Sequence, residues 1–449
     1  MTESSTSSRS YDALVIGGGP AGATAALVMA RAGLSVLVAE RSPFPRFHIG
    51  ESLLPRNFGL FRELGLTAAL EALPHVDKLG AEFRMGHGGD ENARRFRFDN
   101  PLTGGEKEAV NIERSVFDAM LLDQARAAGA EVLEGRAVRK VLRLADGDVA
   151  VELDGGEAVA ARWLVDASGQ ASLLGKHLGT RKLLPDLQKA AYFGHFENVR
   201  RRPGPEGGDP VIVMCDEGWF WLIPLNETRT SIGLVVDANF ARQAGVPPQE
   251  MLAWGIARCP VLRERTAEAV FPATTHVAAD FSYRCAPYAG PGYFLAGDAA
   301  TFVNPIFSTG VCLAMMSAVQ AAEAIVGFRR GTLKPGPARR RYIRYVDGSS
   351  GVLFSIVRQY YRHSFRELFL NGIGPLEMHW AVIGVLAGNV FPRPAWRLWW
   401  RLQVFRLFVH LQEIIPLAPR RERFSLLHPR AGAAEEGSAA ETTPSASPG

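Results

Sequence analysis

The sequence predicts an α/β protein with three parts: a parallel-sheet domain, an antiparallel β-sheet domain inserted into it, and a C-terminal helical region. From Tyr11 onward a strand, a glycine-rich turn, an alanine-rich helix and a second strand follow one another, which is the order of a βαβ unit. Residues 181–284 consist of short β-type runs separated by turns. After about Arg344 the pattern is helical and rich in aromatic residues and arginine. The first part is therefore expected to be Rossmann-like.

The expected domain boundaries follow these changes of pattern. The inserted domain would form the substrate side together with residues 80–110. The expected parts are a disordered segment at 1–10, the discontinuous Rossmann-like domain at 11–180 and 285–345, the inserted domain at 181–284, the helical region at 346–430, and a disordered tail at 431–449.

Composition excludes several classes of protein. The 449 residues are 47% hydrophobic and 21% charged, which is typical of a globular chain with a large core. The formal net charge of +4 is unevenly distributed, since residues 351–430 carry eleven arginines against four glutamates and residues 1–350 are neutral. No nucleic-acid reading motif accompanies the basic segment, so a nucleic-acid partner is not expected.

The cysteines and the apolar runs indicate a cytoplasmic protein. No C-x-x-C pattern occurs, no metal site is predicted, and no secretory hydrophobic region opens the chain. The best apolar candidate for a membrane span, 380–391, is shorter than the roughly 20 residues that a spanning helix needs. We therefore expect no membrane span and four reduced core thiols at Cys215, Cys259, Cys285 and Cys312.

The segment Gly17–Gly22 fits G-x-G-x-x-G at the junction of the first strand and helix. Glycines at this spacing let backbone amides approach a pyrophosphate at the helix N-terminus. Glu40 ends the next strand, where a carboxylate accepts hydrogen bonds from ribose hydroxyls and disfavours a 2′-phosphate. The pattern predicts a dinucleotide site, although such glycines can also serve only a turn.

Three further clusters, in the same order along the chain, resemble the flavin monooxygenase superfamily. They are Arg114–Asp118, Asp166–Gly169 and the pair Gly297–Asp298. In that superfamily the aspartate of the last cluster binds ribityl hydroxyls, so the resemblance implies FAD as the dinucleotide. Taken alone, Asp298 could equally be a helix cap or turn residue.

Three patterns narrow the resemblance to the flavin-dependent halogenases. Trp219–Pro224 matches W-x-W-x-I-P, and Phe302–Gly310 is similar to F-x-x-P-x-x-S-x-G. Lys78–Gly86 resembles K-x-G-x-x-F-x-x-G, which is found in the branch that acts on phenols and carrier-bound substrates. The resemblance covers roughly residues 11–345. Each pattern also has a plain structural interpretation: core tryptophans, packing around a turn, and a solvated surface lysine.

The resemblance implies a role for each motif. Reduced FAD, O2 and chloride or bromide would give hypohalous acid, which Lys78 would guide onto an electron-rich aromatic such as a phenol or pyrrole. Thr309 and Gly310 would hold the halide at a helix start, because backbone N–H groups there bind anions. The separation of flavin from substrate falls to Trp219, Trp221, Ile223 and Pro224. The implied flavin-binding residues are Gly17, Gly19, Pro20, Ala21, Gly22, Glu40, Arg41, Ser52, Arg114, Asp298, Pro305 and Gly310.

Several alternatives stay open at this point. Lys78 could act as an ammonium or as an amine that forms a haloamine, because burial can lower a lysine pKa by several units. The chain could instead be a hydroxylase or dehydrogenase on the same scaffold, or a flavin-binding partner without turnover. No second G-x-G-x-x-G is apparent, so a separate flavin reductase is expected to supply reduced FAD. Asn304 stands where some relatives have an aspartate, in one case esterified to the flavin, which predicts non-covalent FAD.

The C-terminal segment 391–408 interleaves arginines with tryptophans and phenylalanines. The spacing predicts an amphipathic helix with arginines on one face and aromatic residues on the other. Such a helix could pack its aromatic side on the body of the protein, dock an acidic carrier protein that holds the substrate, or make peripheral contact with an anionic membrane.

Overall fold

The computed structural model describes residues 10–99, 106–279, 282–371, 378–391 and 393–428. The two segments expected to be disordered lie outside these residues, except for Ser10, which is ordered as the first residue of a strand. The strands are β1 (Ser10–Ile16), β2 (Val36–Ala39), β3 (Val76–Asp77), β4 (Gly80–Met85), β5 (Ala93–Arg97), β6 (Val110–Asn111), β7 (Glu131–Leu133), β8 (Val138–Ala145), β9 (Asp148–Leu153), β10 (Ala158–Asp166), β11 (Arg181–Leu183), β12 (Lys189–Glu197), β13 (Val211–Cys215), β14 (Gly218–Pro224), β15 (Arg229–Asp237), β16 (His276–Ala279), β17 (Tyr283–Cys285), β18 (Ala289–Gly290), β19 (Tyr293–Leu295) and β20 (Thr301–Phe302).

The helices follow the same numbering along the chain. They are α1 (Pro20–Arg31), α2 (Pro55–Glu63), α3 (Thr67–Glu71), α4 (Arg114–Ala127), α5 (Leu173–His177), α6 (Ala238–Gln243), α7 (Met251–Arg258), α8 (Pro260–Arg265), α9 (Gly310–Arg329), α10 (Pro335–Tyr360), α11 (His363–Asn371), α12 (Met378–Leu386) and α13 (Trp396–Ile414).

The first sheet has the order β18-β19-β10-β1-β2-β7, and β8 and β9 form a hairpin against β10. Strands β1, β2, β7, β10 and β19 run parallel to one another, whereas β18 is antiparallel to β19 and β9 is antiparallel to β10. The residues Ala13–Ile16 of β1 are buried, as expected for a strand in the middle of a parallel sheet that is covered on both faces. Helix α1 begins with Pro20, which is pre-organised for a first helical turn, and packs against α4 and α9. The predicted α/β class with a Rossmann-like domain is confirmed.

The second sheet has the order β16-β12-β15-β14-β13-β4-β5. Its pairs are antiparallel, except that β13 runs parallel to β4. Strands β4 and β5 come from the stretch at 80–97, so this early segment joins a sheet whose other strands lie between residues 189 and 279. Lys78 lies in the turn between β3, which pairs with β6, and β4 at this end of the second sheet.

Among the residues that the structure describes, α9 is the one helix long and apolar enough to cross a membrane by length and composition. The expectation that 380–391 is the best apolar candidate is therefore wrong, because the apolar run at 310–329 is longer. Its apolar window is 78% buried inside the protein, and it packs against α1 and α10. The buried position explains its composition as that of a core helix.

The C-terminal helix α13 differs from the expected arrangement of faces. Its buried stripe is Leu398, Leu402, Phe405 and Val409, while Trp396 and Trp399 are 71% and 44% exposed. The spacing of the arginines therefore did not predict which residues of α13 are buried, because leucines at helical spacing supply the packing face.

After α13 the chain turns back as an extended arm at 415–428 and packs on the second sheet. Gln412 Oε1 accepts hydrogen bonds from Leu417 N and Ala418 N at 2.8 Å, and Glu217 Oε2 accepts one from Leu426 N at 2.9 Å. The four cysteines are free and buried, as expected.

Candidate active site

The glycine turn between β1 and α1 has no room for side chains. Gly17 has a φ of +97°, and a Cβ there would lie 2.5 Å from the carbonyl oxygen of Ala167. A Cβ on Gly22 would lie 1.8 Å from the carbonyl oxygen of Gly17. The helix that follows has no side-chain cap, so the amide donors of its first turn are available to a ligand.

Glu40 lies directly beside this turn. It is 5% exposed, and its Oε2 accepts a hydrogen bond from Gly18 N at 2.7 Å while its Oε1 accepts one from Ser42 N at 2.9 Å. Arg41, the next residue in the predicted flavin-binding set, is exposed at the end of β2. The turn and the carboxylate are therefore brought together as expected.

Arg114 opens α4 and forms a bidentate pair with Asp118, through Nε to Oδ1 at 2.7 Å and Nη2 to Oδ2 at 3.0 Å. Its Nη1 donates to the carbonyl oxygen of Ile49 at 2.7 Å. Burial raises the pKa of Asp298 to about 7, and the charge of Arg114 acts in the opposite direction. The two clusters are thus close enough to interact electrostatically, although they are far apart in sequence.

The loop between β20 and α9 forms an open helix start. Asn304 Oδ1 accepts from Ile306 N at 3.3 Å, and Pro305 begins a short 3-10 turn. Thr309 is the buried N-cap of α9 but makes no side-chain capping bond, and Gly310 is exposed with no neighbouring heavy atom within 4 Å of a Cβ position. No side chain among the described residues caps this helix start, which leaves its backbone donors available to an anion.

Lys78 is 4% exposed, so the surface interpretation of this lysine is wrong. Its Nζ donates to the carbonyl oxygen of Leu53 at 3.1 Å and lies 5.2 Å from the centre of the Phe98 ring. Burial lowers the pKa of Lys78 to about 7, with Asp209 acting in the opposite direction. Ammonium and amine forms are thus both accessible near neutral pH.

The tryptophan strand β14 is held by two hydrogen bonds. Trp219 Nε1 donates to Tyr361 Oη at 3.1 Å, and Trp221 Nε1 donates to Ser231 Oγ at 3.1 Å. A Cβ on Gly233 would lie 2.2 Å from the Trp221 ring, so glycine is needed on the neighbouring strand. The two indoles are 5.9 Å apart between ring centres and both are at least 95% buried.

The last residues of the tryptophan motif lie at the end of β14. Ile223 is half-buried, and Pro224 is buried opposite Thr230 of β15. Ser52 is 3% exposed, its Oγ has no hydrogen-bond partner, and it precedes the residue whose carbonyl binds Lys78. A buried hydroxyl without a partner is consistent with a ligand contact at this position.

Three functional candidates were not found from the sequence. Asp209 Oδ1 accepts from Leu79 N and Gly80 N at 2.8 Å and so fixes the turn that carries Lys78. Tyr361 accepts from Trp219, and His195 Nε2 lies 2.5 Å from Glu51 Oε1. The available signal was that Glu51 directly precedes Ser52, a residue of the implied flavin-binding set, because the other contacts join distant parts of the chain.

The residues present fit FAD. The glycine turn is a cradle that any Cβ would fill, Glu40 is positioned beside it, and Ser52 Oγ is an unpartnered buried group. These features suit a pyrophosphate, a ribose diol and a further polar contact, respectively.

Comparison with known proteins agrees with this site. The FAD binding domain family matches residues 10–336. The chain is 30% identical over 400 residues, 87% of its own length and 94% of the relative's, to a 1H-pyrrole-2-carbonyl-(peptidyl-carrier protein) brominase from Pseudoalteromonas luteoviolacea.

Solved structures show the same architecture. The flavin-dependent brominase Bmp2 superposes with a TM-score of 0.79 at 28% identity and covers 90% of this chain and 99% of its own. A flavoprotein/dehydrogenase from Cytophaga hutchinsonii superposes with a TM-score of 0.82 at 26% identity, covering 90% and 99%. The backbone alone therefore does not separate the activities, and the family matches and the site motifs do. The chain belongs to the FAD binding domain family and, within it, to the flavin-dependent halogenases, which are FADH2-dependent oxidoreductases.

Proposed function

We propose that this halogenase acts on a pyrrole or phenol ring tethered to a carrier protein, and that Lys78 delivers the halogen. The observation that carries the proposal is the burial of Lys78, whose Nζ contacts a backbone carbonyl and an aromatic face while the carboxylate of Asp209 acts on it electrostatically. Burial of a charge in such surroundings costs folding free energy. Ionisable groups with strongly shifted pKa values are concentrated at functional sites. The named substrate of the brominase relative supports the tethered pyrrole.

In this proposal the flavin and the halide bind to the domain that contains the first sheet. The turn at 17–22 and Glu40 hold the pyrophosphate and ribose, while Arg114, Asp298 and Ser52 contact other parts of the cofactor. Arg41 and Pro305 complete the proposed cofactor contacts at the edges of this site. Bound reduced FAD, with O2, supplies the oxidising equivalents that convert chloride or bromide to hypohalous acid. The amides at Thr309 and Gly310 bind the halide, because charge-assisted hydrogen bonds at a helix start favour an anion.

Lys78 acts on the hypohalous acid as a hydrogen-bond donor. Its ammonium polarises the O–X bond, the ring carbon takes the halogen, and the departing hydroxide leaves as water with a proton from Nζ. The ring then loses its own proton, which restores its aromaticity, and this proton returns Nζ of Lys78 to the ammonium form. A pKa of about 7 suits a group that gives up a proton in each turnover near neutral pH.

The second sheet separates the organic substrate from the flavin. Trp219 and Trp221 are fixed by Tyr361 and Ser231, so the indoles form a rigid partition that Ile223 and Pro224 extend. A partition of this kind leaves hypohalous acid as the only carrier of the oxidising equivalent to the ring and prevents oxygenation.

The proposed partners are a separate flavin reductase and the carrier protein. No second dinucleotide motif occurs in the sequence, which supports an external source of reduced FAD. Four buried free thiols support a cytoplasmic location. Non-covalent FAD is also proposed, since Asn304 has no carboxylate for an ester.

The variant Lys78→Ala tests this proposal. With a reductase, FAD, NADH and bromide, we expect it to bind FAD and oxidise reduced flavin as the wild type does, yet to form no brominated product. The readout is mass spectrometry of a loaded carrier protein and of a free phenol. Lys182→Ala, at an exposed lysine on β11, is the control and keeps full activity. Brominated product at the wild-type rate from Lys78→Ala would contradict the role of Lys78, and a halide-independent oxygenated product would favour a hydroxylase.

A further inference from the structure

A large open cleft lies outside the site described above, between helices α2, α9 and α10. Its volume is about 550 Å³. The lining combines an apolar floor, which includes Leu60, Met316 and Val319, with a rim of long charged side chains. A cleft of this size accommodates a chain-like ligand or a protruding element of a partner.

The rim of the cleft is positively charged. Arg56, Arg341, Arg344 and Arg393 line it against only two carboxylates, and Arg56 lies 3.9 Å from one of these, Glu63. Within the part of the chain that the structure describes, Arg341, Arg344 and Arg393 form no ion pair, whereas Arg339 on the same helix pairs with an aspartate at 2.6 Å. Unpaired arginines presented together bind carboxylates or phosphates.

Aromatic residues lead along the chain from the cleft to an exposed pair of tryptophans. Phe391 stacks on Tyr345 of the cleft at 6.4 Å, and α13 starts a few residues later. Trp396 and Trp399 stack on one another at 5.4 Å and are largely exposed beside the exposed Arg397. Tryptophan and arginine are the residues that dominate protein interfaces, so this face has the composition of a docking surface.

The cleft shares α9 with the active site, and its helix α2 begins two residues after Leu53. Arg56 lies three positions after Leu53 in the chain. The carbonyl oxygen of Leu53 accepts the hydrogen bond of Lys78. A Cβ on Gly388 would lie 2.8 Å from Cβ of Arg56 and 3.5 Å from Sγ of Cys312 in the first turn of α9. A partner bound at this face therefore contacts chain segments that continue directly to the backbone acceptor of Lys78 and to the helix proposed to bind the halide.

We propose that this basic, aromatic face docks the acidic surface of the carrier protein, with the arginines of the cleft binding the phosphate of its substrate-bearing arm. This inference rests on the proposed tethered substrate. Charge complementarity favours an acidic protein, and the depth of the cleft favours one with a flexible anionic arm. The stacked tryptophans supply the apolar centre of the contact, while the arginines set orientation and rate of association.

The experiment measures binding of a pyrrole-2-carbonyl-loaded peptidyl-carrier protein to the full-length halogenase by fluorescence anisotropy. We expect Arg344→Glu with Arg393→Glu, and separately Trp396→Ala with Trp399→Ala, to weaken binding roughly tenfold or more. The reversal of two arginines also flattens the salt dependence. Both variants keep the wild-type rate on a free phenol, because no changed residue touches Lys78. Arg263→Glu, at an exposed arginine of α8 in the second-sheet region, is the matched control and leaves binding unchanged.

The outcomes separate the two proposals. If the cleft and tryptophan variants bind the loaded carrier as tightly as the wild type does, the docking face is overturned and the proposal of a tethered substrate still stands. A wild type that neither binds nor brominates the loaded carrier, yet brominates the phenol, would overturn the tethered substrate and this docking face with it. If the wild type floats with phosphatidylserine vesicles but does not bind the carrier, and the tryptophan variants no longer float, the face is assigned to a membrane surface instead.

Discussion

At the scale of single residues, the site depends on a lysine kept where solvent cannot reach it. The pKa of Lys78 is lowered by burial from the usual 10.5 to about 7, and Asp209 offsets only part of this because it already binds two backbone amides. A surface lysine would stay protonated through every turnover. The buried position thus gives Lys78 a proton that it can release and regain, at the expense of folding stability.

Replacement of this lysine by an apolar side chain should therefore stabilise the protein. Below pH 7 the folded state holds a buried ammonium, and between pH 7 and about 10.4 the unfolded chain binds the extra proton, so wild-type stability rises with pH across this window. We expect Lys78→Met to raise the free energy of unfolding by about 1–4 kcal/mol at pH 6, with a smaller gain at pH 9. Thermal unfolding at the two pH values measures it, with Lys182→Met as control. A lower melting temperature for Lys78→Met at pH 6 would refute this account.

At the scale of elements, α9 serves two purposes. Its middle is a core helix between α1 and α10, while its first turn opens without a side-chain cap into unfilled space. Ser308 adopts a left-handed φ of +53°, which turns the loop sharply so that Thr309 and Gly310 start the helix there. The helix start is well suited to a halide because no side chain of the described residues caps its donors.

A carboxylate placed at this helix start should compete with the halide. Gly310→Asp has room, since nothing lies within 4 Å of the new Cβ, and a negative charge there favours the helix itself. We expect the KM for bromide to rise roughly tenfold or more, because charge-assisted bonds of about 1.5–3 kcal/mol are lost to the halide. Gly310→Asn, of the same shape but neutral, is the control. An unchanged KM in Gly310→Asp would place the halide elsewhere.

At the scale of the whole molecule, the C-terminal arm joins the helical region to the second sheet. Glu367 is 1% exposed and accepts from Gln412 Nε2 at 2.8 Å and from Arg421 N at 3.1 Å. Phe424 packs against Gly86, where a Cβ would lie 2.2 Å from its ring, and its carbonyl accepts from Asp216 N at 2.7 Å. The helical region is thus an integral part of the folded body on the side that carries β4 and β14.

Loss of the Phe424 ring should weaken this attachment. Phe424 is 6% exposed, so Phe424→Ala leaves a cavity against Gly86 and we expect a loss of about 3–5 kcal/mol in the free energy of unfolding. Chemical denaturation measures the change. Leu427→Ala, at a residue 50% exposed on the same arm, should change it by less than about 0.5 kcal/mol. Equal stability of Phe424→Ala and wild type would mean that the arm does not contribute to the fold.

Local motifs were predictable from sequence because their chemistry acts over a few residues. The glycine turn, the tryptophan strand and Lys78 each need particular residue types at a short fixed spacing, so the pattern can be recognised in the sequence. The faces of α13 were not predictable in this way, since arginines and aromatic residues alternated and the leucines that supply the buried stripe stood among them.

The sequence by itself determined the α/β class, the flavin-binding turn and the identity of the residues proposed for halogen transfer. Only the tertiary structure decided how those residues are surrounded, because the decisive contacts join Leu79 to Asp209 over 130 positions, Trp219 to Tyr361 over 142, and Glu51 to His195 over 144. Burial is a property of the packed chain, and a lysine that is charged in isolation acquires a pKa of about 7 only when distant segments of the chain bury it.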